Sequence, residues 1–284
     1  MKTKISLCTG ILLGLLITTA CSHKGNNTNN QISFSTLKLD TVAHLFGDTA
    51  KPACHFSLDL QYPTAAKDEK ELTSLQYIFS EAYFGADYSK ISPVVAAPKY
   101  MENYVKNYRN LEQDYNLPVN EELDGWEMAS YSYEENLSSQ IKFNSNDFIS
   151  FCVNEYSFTG GAHGMYNTIN HVIDLNSKSL LYLEDIFAIS SLPDIGKLII
   201  ETIAADRKYK NPTELNDDGF FSIDEVQPTK NFTIDEKGIT WIYNPYEIAV
   251  YAAGQITVTL EWPLVKPYLI DNSPVMKLAS TNEK

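Results

Sequence analysis

Positive charge is scarce in this chain. Only 22 Lys and Arg stand against 36 Asp and Glu, a formal charge of −14 over 284 residues. Such a surface repels phosphate backbones and anionic head groups, which argues against nucleic acid as a partner. It would steer a cationic partner inward, and it equally serves to keep a protein soluble outside the cytoplasm. Cysteine is scarce as well: there are four, none in Cys-X-X-Cys spacing and none beside a histidine. That excludes the usual patterns of thiol catalysis. No apolar run reaches the roughly 20 residues that a spanning helix needs, and no internal repeat is visible. His163 and His171 lack His-X-X-X-His or paired-carboxylate company, so neither a zinc site nor another cofactor is implied. What is present is ample core material, 44% apolar and 12% aromatic.

The N-terminus sets the expected compartment. Lys2 and Lys4 precede an apolar run from Ile5 to Ile17, then Thr18-Thr19-Ala20-Cys21. This is the shape of a secretory signal peptide over residues 1–20. A Cys after a small residue resembles a bacterial lipobox, although Thr18 stands where Leu is usual. The expectation is a diacylated Cys21 as the mature N-terminus, with enough acyl chain for stable attachment. The other reading is an ordinary cleavage near Ala20, with Cys21 incidental. About 264 residues then remain, enough for one large domain or two interlocked ones. Ser22 to Gln31 has no large apolar residue, and residues 21–48 are read as a lipidated N-terminus and flexible tether. No acidic run follows Cys21. That favours a cell-envelope protein facing the periplasm over one displayed at the cell surface.

Periodicity supplies the elements. Cys54, Phe56, Leu58 and Leu60 alternate in a strand over Ala53–Tyr62 that Pro63 is expected to end. Leu72, Leu75, Ile78, Phe79 and Ala82 mark a helix over Lys70–Phe84, with Gly85 just beyond it. Pro93 and Pro98 read as a loop, followed by a second helix over Lys99–Tyr115. Its tyrosines at 100, 104, 108 and 115 are either a stacking platform for sugar rings or a buried amphipathic face. Strands are expected at Trp126–Glu134, Ser139–Asn144, Asp147–Phe158, Tyr166–Asp174 and Ser179–Leu183. A third helix follows over Asp194–Tyr209, then strands at Phe232–Ile234, Thr240–Tyr243 and Gln255–Glu261. The order gives an α+β fold: a mainly antiparallel sheet with about three helices packed on it. Cys54 and Cys152 both fall in strands, where an oxidising compartment permits a disulfide and a core permits two separate buried thiols.

Two segments stand out. Gly160-Gly161-Ala162-His163-Gly164 follows a strand; its glycines imply unusual backbone angles or close chain approach. Its amides suit an anion nest, with His163 as a ligand contact, a general base, or a brace for the turn. In Tyr243-Asn-Pro-Tyr-Glu-Ile-Ala-Val-Tyr-Ala-Ala-Gly254, Pro245 fixes a turn. Tyr246 to Ala253 should form one or two helical turns ending at Gly254. Glu247 lies near the helix start, where its charge is favourable. The segment is a binding edge or a structural corner that packs Tyr246, Tyr251 and Trp241. Gly160, Gly161, His163, Tyr246 and Glu247 are the candidate ligand-binding residues; no catalytic residue is assigned.

Together with Asn231-Phe-Thr-Ile-Asp-Glu-Lys-Gly-Ile239, these segments closely resemble the RsiV-like C-terminal domain family. That is a domain of unknown function found in a lysozyme-sensing anti-sigma factor and in bacterial lipoproteins. The resemblance runs from about Phe151 to Leu269, within an expected C-terminal domain of residues 147–284. Residues 49–146 resemble its usual companion domain, which also occurs beside cell-wall deacetylases. The resemblance implies a module that works by binding, through a protein–protein interface in the lysozyme-sensing member. This chain departs from that member: it has a lipobox in place of a membrane-spanning helix, and no cytoplasmic sigma-binding segment. The function expected is a non-enzymatic envelope module for a protein, lysozyme among the candidates, or for peptidoglycan. The alternatives are an envelope hydrolase pairing His163 with Glu155 or Glu247, and a purely structural envelope protein.

Overall fold

The computed structural model describes residues 16–18, 30–113, 115 and 125–281. Cys21 and most of the expected signal peptide lie outside the described residues. Among the described residues, no helix is long and apolar enough to cross a membrane.

A seven-stranded sheet dominates, ordered β1 to β7 in chain sequence. Its strands are β1 (Leu16–Thr18), β2 (Ser33–His44), β3 (Ala53–Ala65), β4 (Tyr133–Asn144), β5 (Phe148–Thr159), β6 (Met165–Asp174) and β7 (Ser179–Leu180). All neighbours run antiparallel except the parallel pair β3–β4, which two helices connect. These are α1 (Glu69–Phe84) and α2 (Pro93–Arg109). Asp68 caps α1 by accepting from the Glu71 N–H, and Gly85 leaves it at φ +90°. The alternation in β3 drives the layering. Cys54, Phe56, Leu58 and Leu60 are buried on the face that α1 and α2 cover, each large one contributing roughly 1.5–3 kcal/mol. The tyrosines of α2 belong to this buried face: Tyr108 is buried, and Tyr100 and Tyr104 pack against Phe56.

The other face of β4, β5 and β6 carries a second core, built with the C-terminal part of the chain. The short helix α4 (Leu183–Ile186) leads into α5 (Leu192–Asp206). A three-stranded antiparallel sheet follows, ordered β10-β9-β8, from β8 (Phe232–Ile234), β9 (Gly238–Tyr243) and β10 (Ile256–Glu261). Two short helices, α6 (Trp262–Val265) and α7 (Met276–Ser280), close the chain. Ile195, Ile199 and Ile203 of α5 meet Trp241, Val258 and Leu260 of the small sheet in this core. The buried Ser150 of β5 staples the two sheets. Its Oγ donates to the Ile234 carbonyl at 2.7 Å and accepts from the Ile234 N–H at 3.1 Å.

The α+β class and the mainly antiparallel sheet are as expected; several local readings are not. Residues 33–44, inside the expected tether, form β2, because Leu37 and Leu39 complete the core beneath α1 and α2. Pro63 does not end β3: it sits where the register shifts between Ser33 and Phe34, a position that tolerates a missing N–H. Pro93 and Pro98 lie in α2 instead of a loop. Pro93 is in its first turn, where its fixed φ is pre-organised. Trp126 is 68% exposed and begins α3 (Gly125–Ser130) instead of a strand. The end of that expected strand and the next one, Ser139–Asn144, form a single strand, β4, and residue 146 falls in the turn joining β4 to β5 within one sheet.

The permitted disulfide is not formed: Cys54 and Cys152 are both free and buried. Register explains why. Cys54 pairs with Tyr133, which pairs with Thr159, seven residues along β5 from Cys152. That offset is roughly 23 Å, and the odd–even alternation puts the two thiols on opposite faces. Burial pushes the Cys54 thiol up to about 11, as expected of an inert structural cysteine. Thiol titration after denaturation without reductant should return both groups. A protected pair appearing only after reduction would contradict the register.

Candidate functional site

The outer edge of β6 organises the site. β7 pairs only with Ile173 and Asp174, so β6 leaves outward-pointing backbone groups that must find partners. Two asparagine side chains supply them. Asn244 Oδ1 accepts from the Thr168 N–H at 2.8 Å, and its Nδ2 donates to the Thr168 carbonyl at 3.0 Å. Asn231 Nδ2 donates to the same carbonyl at 2.7 Å, and its Oδ1 accepts from the Asn170 N–H at 2.7 Å. Pro245 and Glu247 hold Asn244 in place: the Glu247 carboxylate accepts from the Asn244 N–H at 2.9 Å. The Asn-Pro-Tyr-Glu segment is therefore a clamp on a strand edge. It is a turn followed by a single 3-10 turn at Tyr251–Ala253, shorter than the helix expected there.

The glycine turn joins the same corner. Gly160 has φ +82°, and a Cβ there would stand 2.6 Å from the Ser130 carbonyl oxygen. Gly161, at φ +106°, faces open space. Gly164 lies under the Tyr156 ring so closely that any side chain would collide with it. His163 is exposed; its Nδ1–H donates to the Gly164 carbonyl at 3.0 Å, and its ring stacks on Tyr251 at 4.7 Å. Tyr251 donates its hydroxyl to the same carbonyl at 3.3 Å and meets Tyr246 at 5.4 Å. Tyr156 meets Tyr166 at 4.5 Å. The result is a ledge of five rings, Tyr166, Tyr156, His163, Tyr251 and Tyr246. Tyr166 and Tyr246 at its ends are 62% and 53% exposed.

This ledge borders the part of the large sheet that neither core covers. On β2, β3 and β4 that face carries Lys38, Asp40, His55, Ser57, Asp59, Glu134 and Asn136. They are tied by Lys38–Asp59 at 2.6 Å, His55–Asp40 at 2.8 Å and Asn136 Nδ2 to Glu134 at 2.6 Å. Rings beside ordered hydroxyl, amide and carboxylate groups offer stacking and hydrogen bonding together.

The structure thus brings His163 and Tyr246 into one ledge and places Gly160 and Gly161 in the turn beneath it. Among the described residues, no hydrogen bond or ion pair joins His163 to either proposed acidic partner. Glu247 is turned onto the Asn244 N–H, and Glu155 lies on the opposite face of the sheet, under α1 and α2, beside Glu135. Sequence reasoning missed Asn231 and Asn244, although both sit inside the segments it singled out. It also missed Glu135. That carboxyl is buried, accepts from the Tyr100 hydroxyl at 3.3 Å, and is pushed up to about 7 by burial and then by Glu155. Among the described residues, no three His, Cys, Asp or Glu side chains converge as metal ligands.

The raised Glu135 fixes a pH dependence. Between its ordinary value of 4.5 and about 7, the folded chain holds a proton that the unfolded chain releases. Glu135 therefore destabilises the fold progressively as pH rises through that window. Glu135→Gln should raise stability by roughly 1–3 kcal/mol at about pH 8 and change little at about pH 4.5. Thermal denaturation measures this; a variant no more stable than its parent at the higher pH would contradict the burial.

Comparison with known proteins places the chain. Residues 184–263 match the family model described as a protein of unknown function, DUF3298. Residues 51–166 match the model described as deacetylase PdaC. No curated protein matches. A crystal structure of a DUF3298-family member from Bacteroides fragilis NCTC 9343 is 32% identical, with a TM-score of 0.82, covering 90% of this chain and all of that one. A DUF3298-family protein from Pseudomonas aeruginosa PAO1, 16% identical over 84% of this chain and 95% of that one, shares the fold at a TM-score of 0.58. At 32% identity over 90% of its length, the likeness to the Bacteroides protein shows that this chain belongs to the DUF3298 family, with a PdaC-like region before its family domain.

Proposed function

We propose that this protein is a lipid-anchored module of the bacterial cell envelope, facing the periplasm, that binds a protein or a cell-wall glycan without breaking bonds in it. The observation that carries the reading is the row of rings beside the uncovered polar face of the large sheet. Tyr166 and Tyr246 project where core packing does not need them. The groups beside them are already ordered by Lys38–Asp59 and Asn136–Glu134, so little entropy is lost when a ligand docks. A surface of this make-up suits sugar rings and protein loops alike. The formal charge of −14 favours a cationic protein such as lysozyme over an anionic one. The name of the PdaC model agrees with a cell-wall setting. The lipobox ending at Cys21 supplies the anchor.

A hydrolase needs a base and an acid in one cleft. His163 instead braces the Gly164 carbonyl and lies flat on Tyr251, which suits a recognition ledge better than proton transfer. Retention of the purified full-length protein on immobilised lysozyme and on peptidoglycan sacculi tests the proposal. Retention by one of them is expected, and Tyr166→Ala with Tyr246→Ala should weaken it at least about tenfold, since aromatic anchors carry much of such binding. Unchanged thermal melting would show that the fold is intact. No retention by either ligand would remove both.

A further inference from the structure

A cleft of about 450 Å³ opens between β6 at residues 169–172, the chain leaving β7 at Leu181 and Tyr182, and residues 229–232 before β8. Its size falls within the usual range of ligand pockets, about 300–1,000 Å³. Its walls combine apolar residues, Ile169, Val172, Leu181 and Phe232 among them, with polar ones, of which two matter most. Asn170 is only 4% exposed, and neither Oδ1 nor Nδ2 has a hydrogen-bond partner among the described residues. The buried His171 Nε2 beside it has none either. A buried polar group without a partner is costly, roughly 1–3 kcal/mol, and a buried amide with both ends unmet is rare enough to need a reason. Asn231 and Asn244, one and two contacts away on the same edge, have their amides satisfied.

We infer that this cleft binds an extended peptide segment of a partner protein, with the Asn170 amide reading its backbone. The choice of peptide follows from amide geometry. In a trans secondary amide the N–H and C=O point opposite ways, so one asparagine cannot satisfy both of its ends on a single acetamido group of a sugar. In an extended chain, the N–H and C=O of the same residue point to the same side, and one carboxamide can take both. Asn244 does this to Thr168, two residues before Asn170 on the same strand edge. Asn170 is the same group with the opposite half of the pair missing. Both amide atoms are covered in the unbound chain, so the Asn170 side chain must turn outward for an occupant to reach it. His171 stacks on Phe151, and burial pulls it down to about 4. It is therefore neutral at neutral pH, and the alternation of β6 puts its ring on the face opposite the Asn170 side chain. The apolar walls suit an uncharged side chain on the bound residue. Glu81, Glu247 and Lys230 put charge of both signs at the cleft.

The test uses the full-length protein and a capped tripeptide, N-acetyl-Ala-Leu-Ala-N-methylamide, followed by NMR. The expected result is saturable shifts of the Asn170 side-chain amide and the Leu181 backbone amide. Replacing the central N–H of the probe by an ester oxygen should weaken binding roughly fivefold to tenfold, a readout that needs no variant. Asn170→Ala should abolish the shifts, while Tyr166→Ala with Tyr246→Ala should leave them unchanged, which separates this site from the ring ledge. Equal binding of the ester, shifts of the same size with N-acetylglucosamine, or no saturable shift at about 10 mM probe, a concentration that reveals even contacts weaker than 1 mM, would each overturn the inference.

Discussion

The exposed edge of one strand decides how this protein holds together. β6 has a neighbour on one side along its whole length, but β7 covers only its last two residues on the other. Four hydrogen bonds from Asn231 and Asn244 complete that edge at Thr168 and Asn170. They come from just before β8 and just after β9, so the same contacts that quench the edge fix the small sheet against the large one. The Ser150 staple and the apolar core around Trp241 then form with the right registry. A strand could have supplied the same hydrogen bonds. Side chains do it over two residues and leave the rest of the edge open, and the cleft beside Asn170 exists for that reason.

How much of this was legible in the sequence depended on range. Local signals read well. The alternation of Cys54 to Leu60 gave β3, the helical spacing from Leu72 to Ala82 gave α1, and Ile256, Val258 and Leu260 gave β10. β2 was hidden because polar residues break up its apolar ones, Phe34, Leu37, Leu39, Val42 and Ala43, and it follows an asparagine-rich run. Pro98 misled because it lies inside α2, beyond the first turn, where a proline normally breaks a helix and only the surrounding packing keeps it. Trp126 looked like a strand residue, but an indole that no core claims does not hold a strand. The two family segments were found from composition alone, yet their work was not. Asn244 meets Thr168 across 76 positions and Asn231 meets Asn170 across 61, and no local pattern reports a partner so distant. The same holds for Glu135, whose burial depends on α2 lying over it.

The two surfaces of interest use different chemistry from one scaffold. The ring ledge is exposed, rich in tyrosine, and rests on a glycine turn whose backbone angles and close contacts exclude larger residues. The cleft is recessed, walled by apolar and polar residues together, and centred on an amide with no internal partner. Both border β6, so a ligand at either one contacts the strand that joins the two cores. That arrangement suits a protein that acts by contact, where rigidity of the recognition surface limits the ordering lost on binding.

Native-state hydrogen exchange at the Thr168 and Asn170 amides tests the central claim most directly, because those two N–H groups report on the asparagine clamp alone. The account predicts exchange as slow as that of the most protected amides of β5. In Asn231→Ala and Asn244→Ala, protection should fall first at Asn170 and Thr168 respectively, and then across the small sheet. Rapid exchange at both positions in the unaltered protein, with the small sheet still protected, would show that the two sheets are held together by something other than this edge.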